Sequence, residues 1–357
     1  MHTIIGKTVR RVVVVAAAVA VLAVLAVLAV LAVPAVAAAQ THITGAGATF
    51  PYPMYSKWFD AYHKLHPAIQ INYQSIGSGG GIRQVTEGTV DFGASDGPMT
   101  DTQLAAFRAK RGSDILHFPT VMGAVVPIYN VSGITSALRF TPEVLAGMFL
   151  GTITKWNDKA IAAANPGVAL PATNVVVVHR SDGSGTSFIW TDYLTKVSAV
   201  WKTKVGANTS VNWPVGLGGK GNEGVSGLVK LTNGAIGYVE LIYAVQSKIA
   251  YGSVRNAAGE YVNATLESVS AAAASASMPD DFRVSITNPP GKTAYPIASF
   301  TWLLVPTKIA DPAKQRAITD FLKWMLSDGQ KMASALSYAP LPKAVVDREL
   351  KAIAAVK

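Results

Sequence analysis

The chain has 357 residues, half of them apolar, with 31 Lys and Arg against 21 Asp and Glu, a formal net charge of +10. It has no cysteine, which excludes disulfides and a lipid-modified cysteine anchor. The basic residues are scattered, not gathered into runs interleaved with aromatics, and this argues against a nucleic-acid partner.

At the N-terminus, Lys7, Arg10 and Arg11 precede an apolar run from Val12 to Val33. Ala35-Val36-Ala37 and Ala37-Ala38-Ala39 follow, both small-x-small cleavage patterns. This is the build of a secretory signal peptide over residues 1–39. The run is also long enough to span a bilayer, so an uncleaved N-terminal anchor is the alternative. Arg10-Arg11 is a weak hint of twin-arginine export. Loss of Lys7, Arg10 and Arg11 lowers the net charge from +10 to +7. Residues 40–357 exceed the size of one typical core, so two lobes are expected.

Along the remaining chain, helical and strand patterns alternate. Pro51–Leu65 carries Tyr55, Trp58, Phe59 and Tyr62 at helical spacing. Ile71–Tyr73 and Thr89–Phe92 are short strand candidates. Val121–Tyr129, Val175–Val178, Ile236–Val239 and Phe300–Val305 are apolar and rich in β-branched residues, as buried strands of mixed α/β sheets are. Ser184–Val197 and Ala313–Leu326 repeat the helical spacing. Ser270–Ser277 holds only Ala and Ser and reads as a surface helix or loop. Asn288-Pro289-Pro290-Gly291 is a breaker and a candidate crossing between lobes.

Four short loops share one character: Gly45–Phe50, Ile76–Gly81, Gly93–Asp96 and Ser181–Thr186. Three of them place Gly with Ser or Thr just before a predicted helix, the second before a helix starting near Ile82. The first backbone N–H groups of a helix lack intrahelical partners and point out from the positive end of its dipole. Glycines let a ligand approach, and hydroxyls add donors, so such a loop suits an oxyanion. Taken singly, each loop is also an ordinary N-cap and turn. Three in one chain, with Arg180, favour the anion site.

Two further patterns carry less. Gly216–Gly221 matches G-x-G-x-x-G, but Trp213-Pro214 precedes it in place of a clear strand, and Gly221 after Lys220 rules out a P-loop. His63 and His66 lack a third ligand and read as a solvated helix face. Ser184 could serve as a nucleophile with His179 as base, or only as a hydrogen-bond donor. Its surroundings, Asp-Gly-Ser-Gly, are not a nucleophile elbow, and no metal-ligand cluster is evident.

Thr44–Pro51 (TGAGATFP), Ile76-Gly77-Ser78, Val90–Asp96 (VDFGASD), Arg180–Phe188 (RSDGSGTSF), Trp213–Gly224 (WPVGLGGKGNEG) and Gly234–Glu240 (GAIGYVE) resemble, in order, the periplasmic phosphate-binding proteins of bacterial phosphate-specific ABC transporters. The resemblance covers nearly all of residues 40–357. It departs at Gly79, where some relatives have serine, and at His179, where some have arginine; neither is an expected ligand contact. It implies a two-lobe α/β fold of the periplasmic-binding-protein type II, with a hinge and a ligand cleft between lobes. Residues 40–129 with 292–357 would form one lobe, and 130–291 the other. By the same resemblance, Thr49, Phe50, Ser78, Asp96, Arg180, Ser184, Gly185 and Thr186 would bind phosphate. Hydroxyls would act at Thr49, Ser78, Ser184 and Thr186, and backbone N–H at Phe50, Gly185 and Thr186. Arg180 would donate charge-assisted bonds, with Asp182 holding its guanidinium from behind. The implied protein is a periplasmic monomer without catalysis, cofactor or metal. Its partners would be phosphate and the integral-membrane permease of an ABC transporter with its cytoplasmic ATPase.

Asp96 discriminates among anions. A carboxylate facing an anion is repulsive unless a proton lies between them. Phosphate at neutral pH carries a proton, as arsenate does, and sulfate does not. Asp96 is also placed like a turn residue before Gly97-Pro98. Read as a ligand, it would accept the phosphate O–H and repel sulfate, which is specificity by built-in repulsion.

Overall fold

The computed structural model describes residues 16–21 and 40–357. Residues 16–21 are helical; the rest of the expected signal segment lies outside the described residues. Among the described residues no helix is long and apolar enough to cross a membrane.

Twelve strands are present among the described residues: β1 (Thr41–Gly47), β2 (Ile69–Ser75), β3 (Phe92–Ser95), β4 (Ile115–Asn130), β5 (Arg139–Phe140), β6 (Val176–Arg180), β7 (Leu217–Gly219), β8 (Ala235–Glu240), β9 (Ala250–Tyr251), β10 (Ser253–Arg255), β11 (Tyr261–Val262) and β12 (Ala298–Pro306). Eight of them run in the order β2-β1-β3-β12-β4-β8-β6-β7, with β9 added on β4. β1 is parallel to β2 and β3, and β6 is parallel to β7 and β8. β12 is antiparallel to β3 and β4. β4 joins the two halves: Ile115–Ala124 pairs with β12, and Val125–Asn130 pairs with β8. At the change of partner, the Val125 N–H donates to the Ile297 carbonyl at 2.9 Å. β4 from Phe118 to Tyr129 is buried throughout, which explains its unbroken apolar sequence.

The predicted strands 71–73, 121–129, 175–178, 236–239 and 300–305 fall within β2, β4, β6, β8 and β12, apart from Val175. The helices observed at Tyr52–Leu65, Gly185–Val197 and Pro312–Met325 match those expected, with Ser184 as an N-cap. Three expectations need correction. Thr89–Phe92 is not a strand: the preceding helix ends only at Gly88, in the left-handed conformation, residues 89–91 bend back, and β3 begins at Phe92. The helix expected near Ile82 begins at Ser78. Gly45-Ala46-Gly47, read as loop, lies inside β1. The cause of the last two is close packing. A Cβ on Gly81 would stand 2.5 Å from the Gly47 Cα and 2.8 Å from the Ala94 carbonyl oxygen. The helix Ser78–Glu87 therefore presses onto β1 and β3 only because small residues line both sides, which is where glycine is tolerated in a strand. Ala-Ser-rich 270–277 is partly the helix Leu266–Ala274, with Ala272 and Ala273 buried.

One buried acid stands outside any network. Glu349, on the helix Lys343–Ala352, is fully buried, and neither carboxyl oxygen has a hydrogen-bond partner. Burial pushes its carboxyl well above the usual carboxylate range. The folded state then keeps a proton that the unfolded chain releases, so stability falls as pH rises past the ordinary value of about 4.3. Glu349→Gln should remove this loss. In urea unfolding the variant is expected to match the parent near pH 4 and to exceed it increasingly toward pH 8, by up to roughly 1.4 kcal/mol per pH unit. A gap that does not change with pH would contradict this.

Candidate functional site

The carboxyl ends of the parallel strands in both halves of the sheet converge, the usual position of a ligand site in open α/β sheets. Thr49 and Phe50 follow β1, Ser78 follows β2 and Asp96 follows β3. Arg180 ends β6, Ser184 to Thr186 open the helix behind it, and β7 leads into the helix Gly221–Leu231. Each of these residues is buried, with Arg180 only 3% exposed.

Asp182 holds the guanidinium of Arg180 from two sides. Arg180 Nε donates to Asp182 Oδ1 at 2.7 Å, and Nη2 donates to Oδ2. The Gly221 N–H donates to the same Oδ1 at 3.0 Å. Partial burial opposes ionisation of Asp182, but Arg180 and this amide outweigh it and hold the carboxyl below its usual value. The remaining Nη1 of Arg180 donates to Thr186 Oγ1 at 3.3 Å.

Asp96 is held on both oxygens. Thr301, on β12, donates to Oδ1 at 2.7 Å, and Ser78 Oγ donates to Oδ2 at 3.4 Å. Burial is the dominant influence and raises its carboxyl to about 7; Thr301, Arg180 and Ser78 pull the other way. Ser78 Oγ also accepts from the Asp96 N–H at 3.2 Å and from the Gly185 N–H at 3.0 Å. The Gly185 amide, expected to face a ligand directly, is thus engaged with Ser78 in this structure. A Cβ at Gly185 would lie 2.5 Å from Asp96 Oδ2, so only glycine fits there. A further link, from the Gly79 N–H to the Gly183 carbonyl at 2.9 Å, joins the same two loops.

Ser184 caps its helix, its Oγ accepting from the Ser187 N–H at 3.0 Å. His179 is occupied elsewhere: Nδ1 lies 3.0 Å from the Arg180 carbonyl oxygen, and the ring stacks on Trp213 at 4.8 Å between centroids. These contacts leave Ser184 in a donor role, without the base a nucleophile requires. Among the described residues no group of three or more His, Cys, Asp or Glu could hold a metal ion. His63 Nδ1 lies 2.7 Å from the Ile69 carbonyl oxygen, a local structural contact.

Several residues of this site were not anticipated. Asn222, fully buried, reaches Thr49 Oγ1 at 2.6 Å and Thr186 Oγ1 at 3.2 Å through its Nδ2. It directly follows the G-x-G-x-x-G stretch Gly216–Gly221 discounted above, and that stretch does hold a short strand, β7. Three tyrosines clamp the loop after β1. Tyr73, Tyr243 and Tyr338 donate to the carbonyls of Ala48, Thr49 and Phe50 at 2.8, 2.5 and 2.6 Å. In a trans peptide the N–H points opposite to the C=O. The clamps on Ala48 and Thr49 therefore set where the Thr49 and Phe50 N–H groups point.

Comparison with known proteins agrees with this geometry. A PBP superfamily domain matches residues 32–329. The chain is 50% identical to the phosphate-binding protein PstS of Xylella fastidiosa, over 85% of this chain and 82% of that one. It is 47% identical to PstS of Pasteurella multocida, over 87% and 89%. Among solved structures it resembles a high-affinity periplasmic phosphate-binding protein bound with phosphate, with a TM-score of 0.71 and 23% identity over 86% of this chain and 92% of that one. A phosphate-binding protein from Stenotrophomonas maltophilia gives 0.69 and 20%, over 87% and 94%. These structural likenesses carry the two-lobe fold.

The tyrosine clamps can be tested by stability. Tyr73→Phe and Tyr338→Phe each leave a buried carbonyl without its donor, which costs about 1–3 kcal/mol. Urea midpoints are expected to fall for both, with unchanged slopes. A midpoint equal to the parent's for either variant would remove that clamp.

Proposed function

The chain belongs to the PBP superfamily, among the PstS phosphate-binding proteins, and from this premise we propose that it binds inorganic phosphate and delivers it to an ABC-type importer. It is a binding protein and not an enzyme, and its ligand is phosphate without a cofactor. We read its place of work as the periplasm, reached by way of the signal segment 1–39. Its partners are then the integral-membrane permease and the cytoplasmic ATPase behind it, and it acts as a monomer. The lobes are residues 40–129 with 292–357, and residues 130–291. The switch of β4 from β12 to β8 between Ala124 and Val125 supports a crossing between lobes on this strand, a few residues ahead of that boundary.

One observation supports the reading: a buried acid, Asp96, stands at the strand ends with Ser78 and within electrostatic reach of Arg180. The donors we assign to the anion are the hydroxyls of Thr49, Ser78, Ser184 and Thr186, the guanidinium of Arg180, and the backbone N–H groups of Phe50, Thr186 and Gly185, the last of which must exchange Ser78 for the ligand. Donors alone would take any oxyanion. Asp96 needs a proton between itself and the anion, and phosphate brings one. Sulfate brings none, and leaves two buried acceptors face to face. Such a mismatch costs about 1–3 kcal/mol, and more for charged groups, or roughly tenfold in affinity for each 1.4 kcal/mol.

The test is calorimetric titration of residues 40–357 with phosphate and with sulfate. Phosphate is expected to bind far more tightly. Equal affinity for both, or binding of neither, would sink the proposal. Asp96→Asn offers sulfate a donor and should narrow the ratio; an unchanged ratio removes Asp96 from the argument. The pH dependence has a definite sign. With its carboxyl at about 7, Asp96 is ionised above that pH and protonated below it. Discrimination against sulfate should be strongest near pH 8 and erode below pH 6, where the protonated acid can donate to sulfate. Erosion in the opposite direction would contradict the role given to Asp96.

A further inference from the structure

Asn222 joins both sides of the cleft, donating to Thr49 from the loop after β1 and to Thr186 at the helix behind β6. The orientation of its amide is fixed by a third bond. The Glu240 N–H donates to Asn222 Oδ1 at 3.1 Å, and a backbone N–H can meet only the oxygen. Nδ2 must then face the threonines, with one hydrogen for each.

Each threonine oxygen also receives a second donor. The Asn222 backbone N–H reaches Thr49 Oγ1 at 3.4 Å, and Arg180 Nη1 reaches Thr186 Oγ1 at 3.3 Å. A hydroxyl oxygen has two acceptor lone pairs and one hydrogen. With both lone pairs occupied, each hydroxyl can act further only as a donor. No bond among the described residues uses either hydroxyl hydrogen.

We propose that Asn222 sets the polarity of the anion site: its amide fills the acceptor positions of Thr49 and Thr186, so that both hydroxyls meet the ligand as donors. Asn222 is a positioning residue in this scheme and need not touch the anion. The inference rests on the phosphate-binding reading, and it adds a reason why threonine hydroxyls, which could equally accept, do not. It also couples the two sides, since one side chain organises a donor from each.

The experiment compares phosphate titrations of the parent, Asn222→Ala, Asn222→Asp, Thr186→Val and the Asn222→Ala/Thr186→Val double variant, with circular dichroism to verify folding. Asn222→Ala frees one lone pair on each threonine and should weaken phosphate binding by roughly tenfold or more. Asn222→Asp has the same shape but accepts where the amide donates. It draws the hydroxyl hydrogens away from the ligand and adds a negative charge, so it should lose more than the alanine variant. In the Thr186→Val background, Asn222→Ala should cost clearly less than it does alone, because one of the hydroxyls it orients is gone. A structural role for Asn222 would give the same loss in both backgrounds and no larger loss for aspartate. Either of those results overturns the inference, as does unchanged affinity in both single variants. Should the alanine variant fail to fold, the isosteric aspartate variant carries the test by the same criterion of affinity. A parent that does not bind phosphate overturns the functional reading and this inference with it. A parent that binds while the variants are unaffected overturns this inference alone.

Discussion

Arg180 carries a permanent positive charge into a place where 3% of the residue remains exposed. A buried charge without a partner costs several kcal/mol, so the fold has to supply an anion and keep it there. Asp182 is that anion, two residues on in the chain and matched to the guanidinium edge by two bonds. Gly221, brought in by the short strand β7, holds Asp182 in turn. The arginine is thereby oriented before any ligand arrives. Little side-chain freedom is left to lose on binding, and a planar fork is well suited to phosphate oxygens. The Arg180–Asp182 pair also spends most of its charge internally. What remains directed at the site is Nη1 and the donors arranged around it.

The sheet explains how so many donors reach one point. Parallel strands on each side of β4 end at the same edge, and their following helices start with N–H groups turned to it. Glycine at 47 and 81 lets the helix Ser78–Glu87 settle onto β1, which brings Ser78 to Asp96. Burial then gives Asp96 a carboxyl that titrates near neutrality, so a small change in its surroundings decides whether it accepts or donates. A further buried acid lies within electrostatic reach of Asp96. Glu240, its carboxyl pushed well above the usual range by burial, caps the helix Leu241–Ser247 through a bond from the Ile242 N–H at 2.8 Å.

Much of this site could be read from the chain itself, because its main loops are local. Ser184-Gly185-Thr186 before an amphipathic helix announces a helix N-terminus, and the structure places Ser184 at that cap. The link between Arg180 and Asp182 spans two residues and could be anticipated. What escaped depends on distance in sequence or on shape. The tyrosine clamps join residues 25, 194 and 288 positions apart, and nothing local marks them. Thr301 looks like one more β-branched residue of a buried strand. Asn222 sat in a glycine-rich stretch whose three-residue strand is too short to show a period. β1 was hidden because its glycines speak against a strand until the helix pressed upon it is known.

The central claim is that a protonated oxyanion sits against Asp96 within a cage of donors anchored by Arg180. A crystal structure of residues 40–357 grown with phosphate at pH 8 tests it most directly. The account predicts phosphate bound by Arg180 and the Ser184–Thr186 turn, with one of its oxygens within hydrogen-bond distance of an Asp96 carboxylate oxygen. Phosphate bound elsewhere, or bound here with Asp96 turned away, would contradict it.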